Sequence, residues 1–124
     1  MNNRDQLIQY LSQLAIRTAG GDVVWSEINP STYVWKSQRN GVTSAVAIQR
    51  ASANAFELLS TKDGWNYLLT VTENAGEQGA KAKQILAITS SEKSELKDVL
   101  REIYAVAQDS SERQAVFILK GLLS

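Results

Sequence analysis

Residues 32–50 read TYVWKSQRNGVTSAVAIQR, and this stretch decides the fold class. Branched and aromatic residues, which favour strands, lie on both sides of Asn40-Gly41. Asn-Gly is the dipeptide that most readily adopts the positive φ angles of a two-residue hairpin turn. The sequence therefore predicts an antiparallel hairpin with strands over residues 32–37 and 42–50.

Further strands are predicted on both sides of this hairpin. Residues 23–28 are rich in branched and aromatic side chains, which favour a first strand. Asp63-Gly64 is a second turn signal, followed by strands over 65–73 and near 83–89. Residues 51–61 fit a strand, a helix or a loop. The chain between the helices is therefore predicted to form an antiparallel meander of four to six strands.

Helical periodicity marks both ends of the chain. Leu7, Leu11 and Leu14 recur at helical spacing within residues 3–18. Serines at 90 or 91, and again at 110 or 111, are placed to cap two successive C-terminal helices. We expect a single α+β domain over residues 1–124, with an N-terminal helix and two C-terminal helices packed on one face of the sheet.

The absence of histidine and cysteine limits the chemistry. It excludes disulfides, thiol nucleophiles, histidine general bases and most transition-metal sites. Carboxylates remain, and Asp98 and Glu102 stand four apart, but Lys97 and Arg101 alternate with them as on a solvated helix face. We therefore expect a non-enzymatic protein without a cofactor or a metal site.

The charge balance limits the partners. Thirteen basic and thirteen acidic side chains give a net charge of zero, so no overall field favours duplex nucleic acid or an anionic membrane. Residues 1–10 are polar and charged where a secretory signal would be apolar. These features predict a soluble, cytoplasmic protein.

A local basic and aromatic segment is the leading candidate for a binding site. No acidic residue lies between Ile28 and Phe56, so an anion would meet positive charge and flat rings there. The candidate ligand-binding residues are Trp25, Tyr33, Trp35, Lys36, Arg39 and Arg50. Strand alternation places Tyr33 and Trp35 on one face and Lys36 on the other. The alternative interpretation is that the aromatic side chains pack in the core and the basic side chains are solvated.

The C-terminal segment carries more apolar side chains than one buried helix face requires. Residues 116–119 are all apolar, and Leu122 and Leu123 follow them. A helix with two apolar faces buries one against its own sheet and the other in a second copy. This pattern predicts a homo-oligomer formed through the C-terminal helix.

In its layout, with Trp25, Tyr33-x-Trp35 and the closing segment FILKGLL at 117–123, the chain resembles short stand-alone α+β proteins of bacteria and phages. Proteins of this style include phage immune-evasion proteins that sequester nucleotide signals between subunits. The resemblance implies an oligomeric nucleotide binder, and no residue role is carried over from that group.

Two hypotheses follow for the function. The first is an oligomeric binding protein that sequesters or senses a small anion, such as a cyclic nucleotide or an ADP-ribose-type signal. The second is a protein–protein adaptor or regulator of a bacterial or phage effector, which would dock through the apolar helix and the open sheet face.

Overall fold

The structure, a computed structural model, describes residues 3–53, 64–73, 83–90 and 94–124. Its elements in chain order are α1 (Asn3–Ala19), β1 (Ser26–Asn29), β2 (Thr32–Arg39), β3 (Val42–Ser52), β4 (Trp65–Glu73), β5 (Lys83–Thr89) and α2 (Ser94–Leu123). The five strands form one antiparallel sheet in sequence order. The predicted α+β class, N-terminal helix and meander are confirmed.

The central hairpin has the predicted turn. Asn40 and Gly41 take φ angles of 53° and 78°, and Arg39 pairs with Val42 directly across the turn. The same register pairs Tyr33 with Ile48 and Trp35 with Val46. Because paired residues share a face, these four side chains point to the same side of the sheet.

The first strand is shorter than predicted and begins at Ser26 rather than at residue 23. Trp25 and Val23 are nevertheless buried. The backbone N–H of Trp25 donates a hydrogen bond to Ser110 Oγ at 3.0 Å, so this N–H is satisfied by a side chain of α2. Val23 and Trp25 are therefore apolar because they are buried, although they pair with no strand.

The prediction of two C-terminal helices is wrong, because α2 is one helix of 30 residues. Ser110, the expected cap of a second helix, lies in its interior and is buried. Its hydroxyl accepts a hydrogen bond from the backbone N–H of Trp25. Serine in the interior of a helix lowers helix stability by only about 0.5 kcal/mol relative to alanine. No proline or glycine lies between Ser94 and Lys120, so nothing in the backbone stops the helix at the serine pair.

The helices lie on one face of the sheet. The first half of α2 packs on β1–β4, and α1 packs chiefly on α2 rather than on the sheet. The most deeply buried large side chains are Trp25, Ile48, Leu69, Ile88, Leu96, Leu100 and Ile103. This arrangement leaves part of the helix-side face of the sheet uncovered next to α1.

Of the ambiguous segment, residues 51 and 52 extend β3, and residues 54–61 lie outside the described part of the chain. In the described chain, neither helix has an apolar stretch of the kind that could cross a membrane.

Candidate functional site

Trp25 and Tyr33 lie in the core rather than at a surface. Trp25 is fully buried, and its indole Nε1 donates to Thr18 Oγ1 at 3.0 Å. Tyr33 is also buried and meets the ring of Tyr104 edge to face, with 5.4 Å between centroids. For these two residues, the structure agrees with the interpretation that the rings close the core.

The phenol of Tyr33 is held in its neutral form. Burial raises its pKa above the usual value of 10.0, because the phenolate would lose its hydration. Tyr104 and Glu27 raise this pKa further, and Arg50 opposes them. Near neutral pH, Tyr33 therefore acts as a packing residue without charge.

Arg50 is half-buried and stacked between two aromatic rings. Its guanidinium carbon lies 4.1 Å from the ring centroid of Trp65 and 4.7 Å from that of Tyr104. A cation over a ring face is attracted by the negative potential of the π system. Arg50 therefore has aromatic partners within the protein, and it does not line the groove described below.

This stacking leads to a prediction for stability. Arg50→Ala is expected to lower the free energy of unfolding by about 1 kcal/mol, since it removes both ring contacts and the packed alkyl stem. Urea denaturation measures the change. The matched variant is Arg39→Ala, which removes an exposed arginine and is expected to change stability by less than about 0.5 kcal/mol. Equal losses in the two variants would contradict a stabilising role for the stack.

Lys36 lies on the opposite face of the sheet from Trp35. It is exposed and borders a shallow depression beside β1, which is also lined by Val24, Ser26, Ile28, Val34 and Gln114. Lys36 therefore lies apart from the other candidate residues. This agrees with strand alternation, which places Lys36 on the opposite face from Tyr33 and Trp35.

Trp35 and Arg39 lie together in a groove between α1 and the helix-side face of the sheet. The groove has a volume of about 580 Å³. Its floor is apolar and comes from both α1 and the sheet: Leu7, Leu11, Leu14, Val23, Trp35, Val46, Leu69, Val71 and Leu86. The polar side chains that border it are Tyr10, Gln13, Arg17, Asp22 and Arg39.

The groove exists because α1 packs on α2 and leaves one end of the sheet uncovered. Trp35, Val46, Val71 and Leu86 face the helix side there and are only partly buried. Apolar side chains in such a position gain further burial when a ligand covers them. The register of the sheet brings these four residues together from four adjacent strands.

Two guanidinium groups give the groove a positive border. Arg17 and Arg39 are both exposed, and neither forms an ion pair with another residue in the described part of the chain. Asp22 is the one described carboxylate that borders the groove, so the described border carries a net charge of +1. A carboxylate or a phosphate that reached both arginines would form charge-assisted hydrogen bonds.

Sequence reasoning missed Arg17. A signal was present, because Tyr10, Leu14 and Arg17 follow one another at helical spacing and therefore share a face of α1. That spacing alone does not show which part of the protein this face of α1 borders. The packing of α1 beside the uncovered end of the sheet decides it.

No protein-family model, curated protein or solved structure matches this chain at a significant level.

Proposed function

We propose that the protein is a non-enzymatic binding protein that holds a small organic anion in the groove between α1 and the sheet. One observation carries the proposal: Arg17 and Arg39, which lack ion-pair partners in the described chain, border an apolar floor that is only partly buried. The apolar part of the ligand packs on the floor, and its anionic group meets the two arginines.

The dimensions of the groove support a ligand of small-molecule size. Ligand sites are typically clefts of roughly 300–1,000 Å³, mostly apolar with a few polar groups that orient the ligand. The volume of about 580 Å³ and the lining of this groove fit that description. Gln13 and Tyr10 are the uncharged polar side chains available at its border.

The lining also narrows the chemistry of the ligand. The indole of Trp35 offers a flat surface for a ring, while the rest of the floor is aliphatic. Cyclic nucleotides and ADP-ribose-type signals combine a flat base with phosphate and belong to this class. Aryl and alkyl carboxylates or phosphates belong to it as well. Sequestration of a nucleotide signal requires that a nucleotide be among the compounds that bind.

Isothermal titration against these compounds tests the proposal. The panel contains cyclic nucleotides, ADP-ribose, and aryl and alkyl carboxylates and phosphates. We expect at least one class to bind with a micromolar Kd. Each of the variants Arg17→Ala and Arg39→Ala should weaken this binding by roughly tenfold, the effect of losing one charged hydrogen bond.

Lys36→Ala is the matched control, since Lys36 is an exposed cation of the same strand as Arg39 but on the opposite face. It should bind the same compound with unchanged affinity. Absence of heat for every class at high micromolar concentration would refute the proposal. So would an equal loss of affinity in Lys36→Ala and Arg39→Ala, because the effect would then reflect net charge alone.

A further inference from the structure

The last thirteen residues of the chain, 112–124, form a segment that we call the tail. Every residue of the tail is exposed, and all but Ser124 belong to α2. Its large apolar side chains are exposed by 53–85%: Val116, Phe117, Ile118, Leu119, Leu122 and Leu123. Such a concentration of exposed apolar surface is unusual in a monomer and marks an interaction site.

The helix is fixed to the domain at the point where the tail begins. Arg113 Nη2 donates to the backbone oxygen of Thr18 at 3.1 Å, and Arg113 Nε lies 3.2 Å from Asp109 Oδ2. Ser110, one turn earlier, is buried against Trp25 and Val23. The position of the tail is therefore set by the domain that carries it.

The apolar stripe of the tail is centred about 120° around the helix from the centre of the buried face of α2, at 3.6 residues per turn, and the two faces overlap along one edge. The buried face carries Leu96, Val99, Leu100, Ile103, Tyr104, Ala107 and Ser110. The stripe carries Ala115, Val116, Ile118, Leu119, Leu122 and Leu123. Phe117 lies outside the stripe. Ile118 and Leu122 lie at the overlapping edge, 18 residues after Leu100 and Tyr104. They are nevertheless exposed, as is every residue of the tail, so the stripe is available to a second molecule.

The area of the stripe is sufficient for a pair of copies. Its five large side chains expose on the order of 600 Å² per copy, so their complete burial in a pair would remove roughly 1,200 Å² from solvent, the lower end of the range for stable interfaces.

We propose that the tail is a self-association surface through which two copies of the chain pair by contact of their apolar stripes. Leu119 lies near the middle of the stripe, between Val116 and Leu122. This inference is independent of the anion proposed for the groove, since the tail lies outside the lining of the groove.

Sedimentation equilibrium from low to several hundred micromolar protein tests the pairing. We expect a discrete dimer at twice the 13.6 kDa chain mass. Leu119→Glu, on the stripe, should raise the dimer Kd by about 30-fold or more, as replacement of a central interface residue does. Phe117→Glu, equally apolar and exposed but off the stripe, should change this Kd by less than about threefold.

Both substituted positions are exposed, so circular dichroism should show an unchanged fold in each variant. A wild-type chain that stays monomeric throughout this range would overturn the proposal and leave the surface to a different partner. Larger assemblies without a discrete dimer would also overturn it. The same holds if Leu119→Glu and Phe117→Glu weaken association equally.

Discussion

Trp25→Ala is expected to lower the free energy of unfolding by about 4 kcal/mol, the largest loss for any single substitution considered. The indole is fully buried and joins three parts of the molecule. Its Nε1 donates to Thr18 Oγ1 of α1, and its ring lies 6.4 Å from that of Trp35 in β2. Its own backbone N–H is bound to Ser110 Oγ of α2. Alanine keeps the backbone bond and leaves a cavity where the ring was.

Urea denaturation followed by circular dichroism measures this loss. Trp25→Phe retains most of the packing but not the indole N–H, so it should cost clearly less than alanine. The control is Val24→Ala, one residue earlier and 48% exposed, with an expected change of less than about 1 kcal/mol. If Trp25→Ala lowers the free energy of unfolding no more than Val24→Ala does, Trp25 is not a core residue. The ligand-binding role predicted for it from the sequence would then be favoured again.

The second large effect concerns two leucines of one helix. Leu100→Ala is expected to destabilise the protein by about 3 kcal/mol, since Leu100 is fully buried between α2 and the sheet. Leu122→Ala makes the same substitution 22 residues later, where the side chain is 75% exposed. In the monomer it should cost less than about 0.5 kcal/mol.

Unfolding of both variants is measured at low protein concentration, so that the proposed self-association, if it occurs, contributes little to stability. The contrast tests the division of α2 into a buried half and an exposed tail. Comparable losses at the two positions would mean that the tail packs against its own domain. The proposal that the tail is a self-association surface would then lose its basis.

The elements predicted from local signals are largely confirmed. Asn40-Gly41 carries its own turn preference, because these two residues tolerate positive φ with little strain. The strand Trp65–Glu73 and the helix Asn3–Ala19 follow from periodicities within single segments. A helix or strand can be predicted from a local pattern when its formation does not depend on contacts with residues far away in the chain.

The errors arise where a distant contact competes with a local signal. Ser110 has the composition of a helix cap, yet its hydroxyl accepts from the N–H of Trp25, 85 residues away in sequence. The same bond explains why β1 begins after Trp25. A local sequence pattern suggests hydrogen-bond partners only among residues close in the chain, so it predicts that such a serine caps its own helix.

The candidate site shows the same division. Trp35 and Arg39 share a face through strand alternation, which sequence predicts. Arg17 joins them only because α1 rests on α2 and borders the uncovered end of the sheet. Trp25, Tyr33 and Arg50 have the residue types of a ligand site, but burial and ring stacking give them partners within the protein.

Four properties can be read from the amino-acid sequence alone: the α+β class, the hairpin, the absence of histidine and cysteine chemistry, and the excess of apolar side chains in residues 116–123. These properties depend on composition, on local backbone preference and on periodicity within one segment. Three further features become visible only in the folded chain: which aromatic residues lie in the core, the continuity of α2, and the direction of its apolar stripe. These features depend on contacts between residues far apart in the chain, and a local pattern carries no information about them.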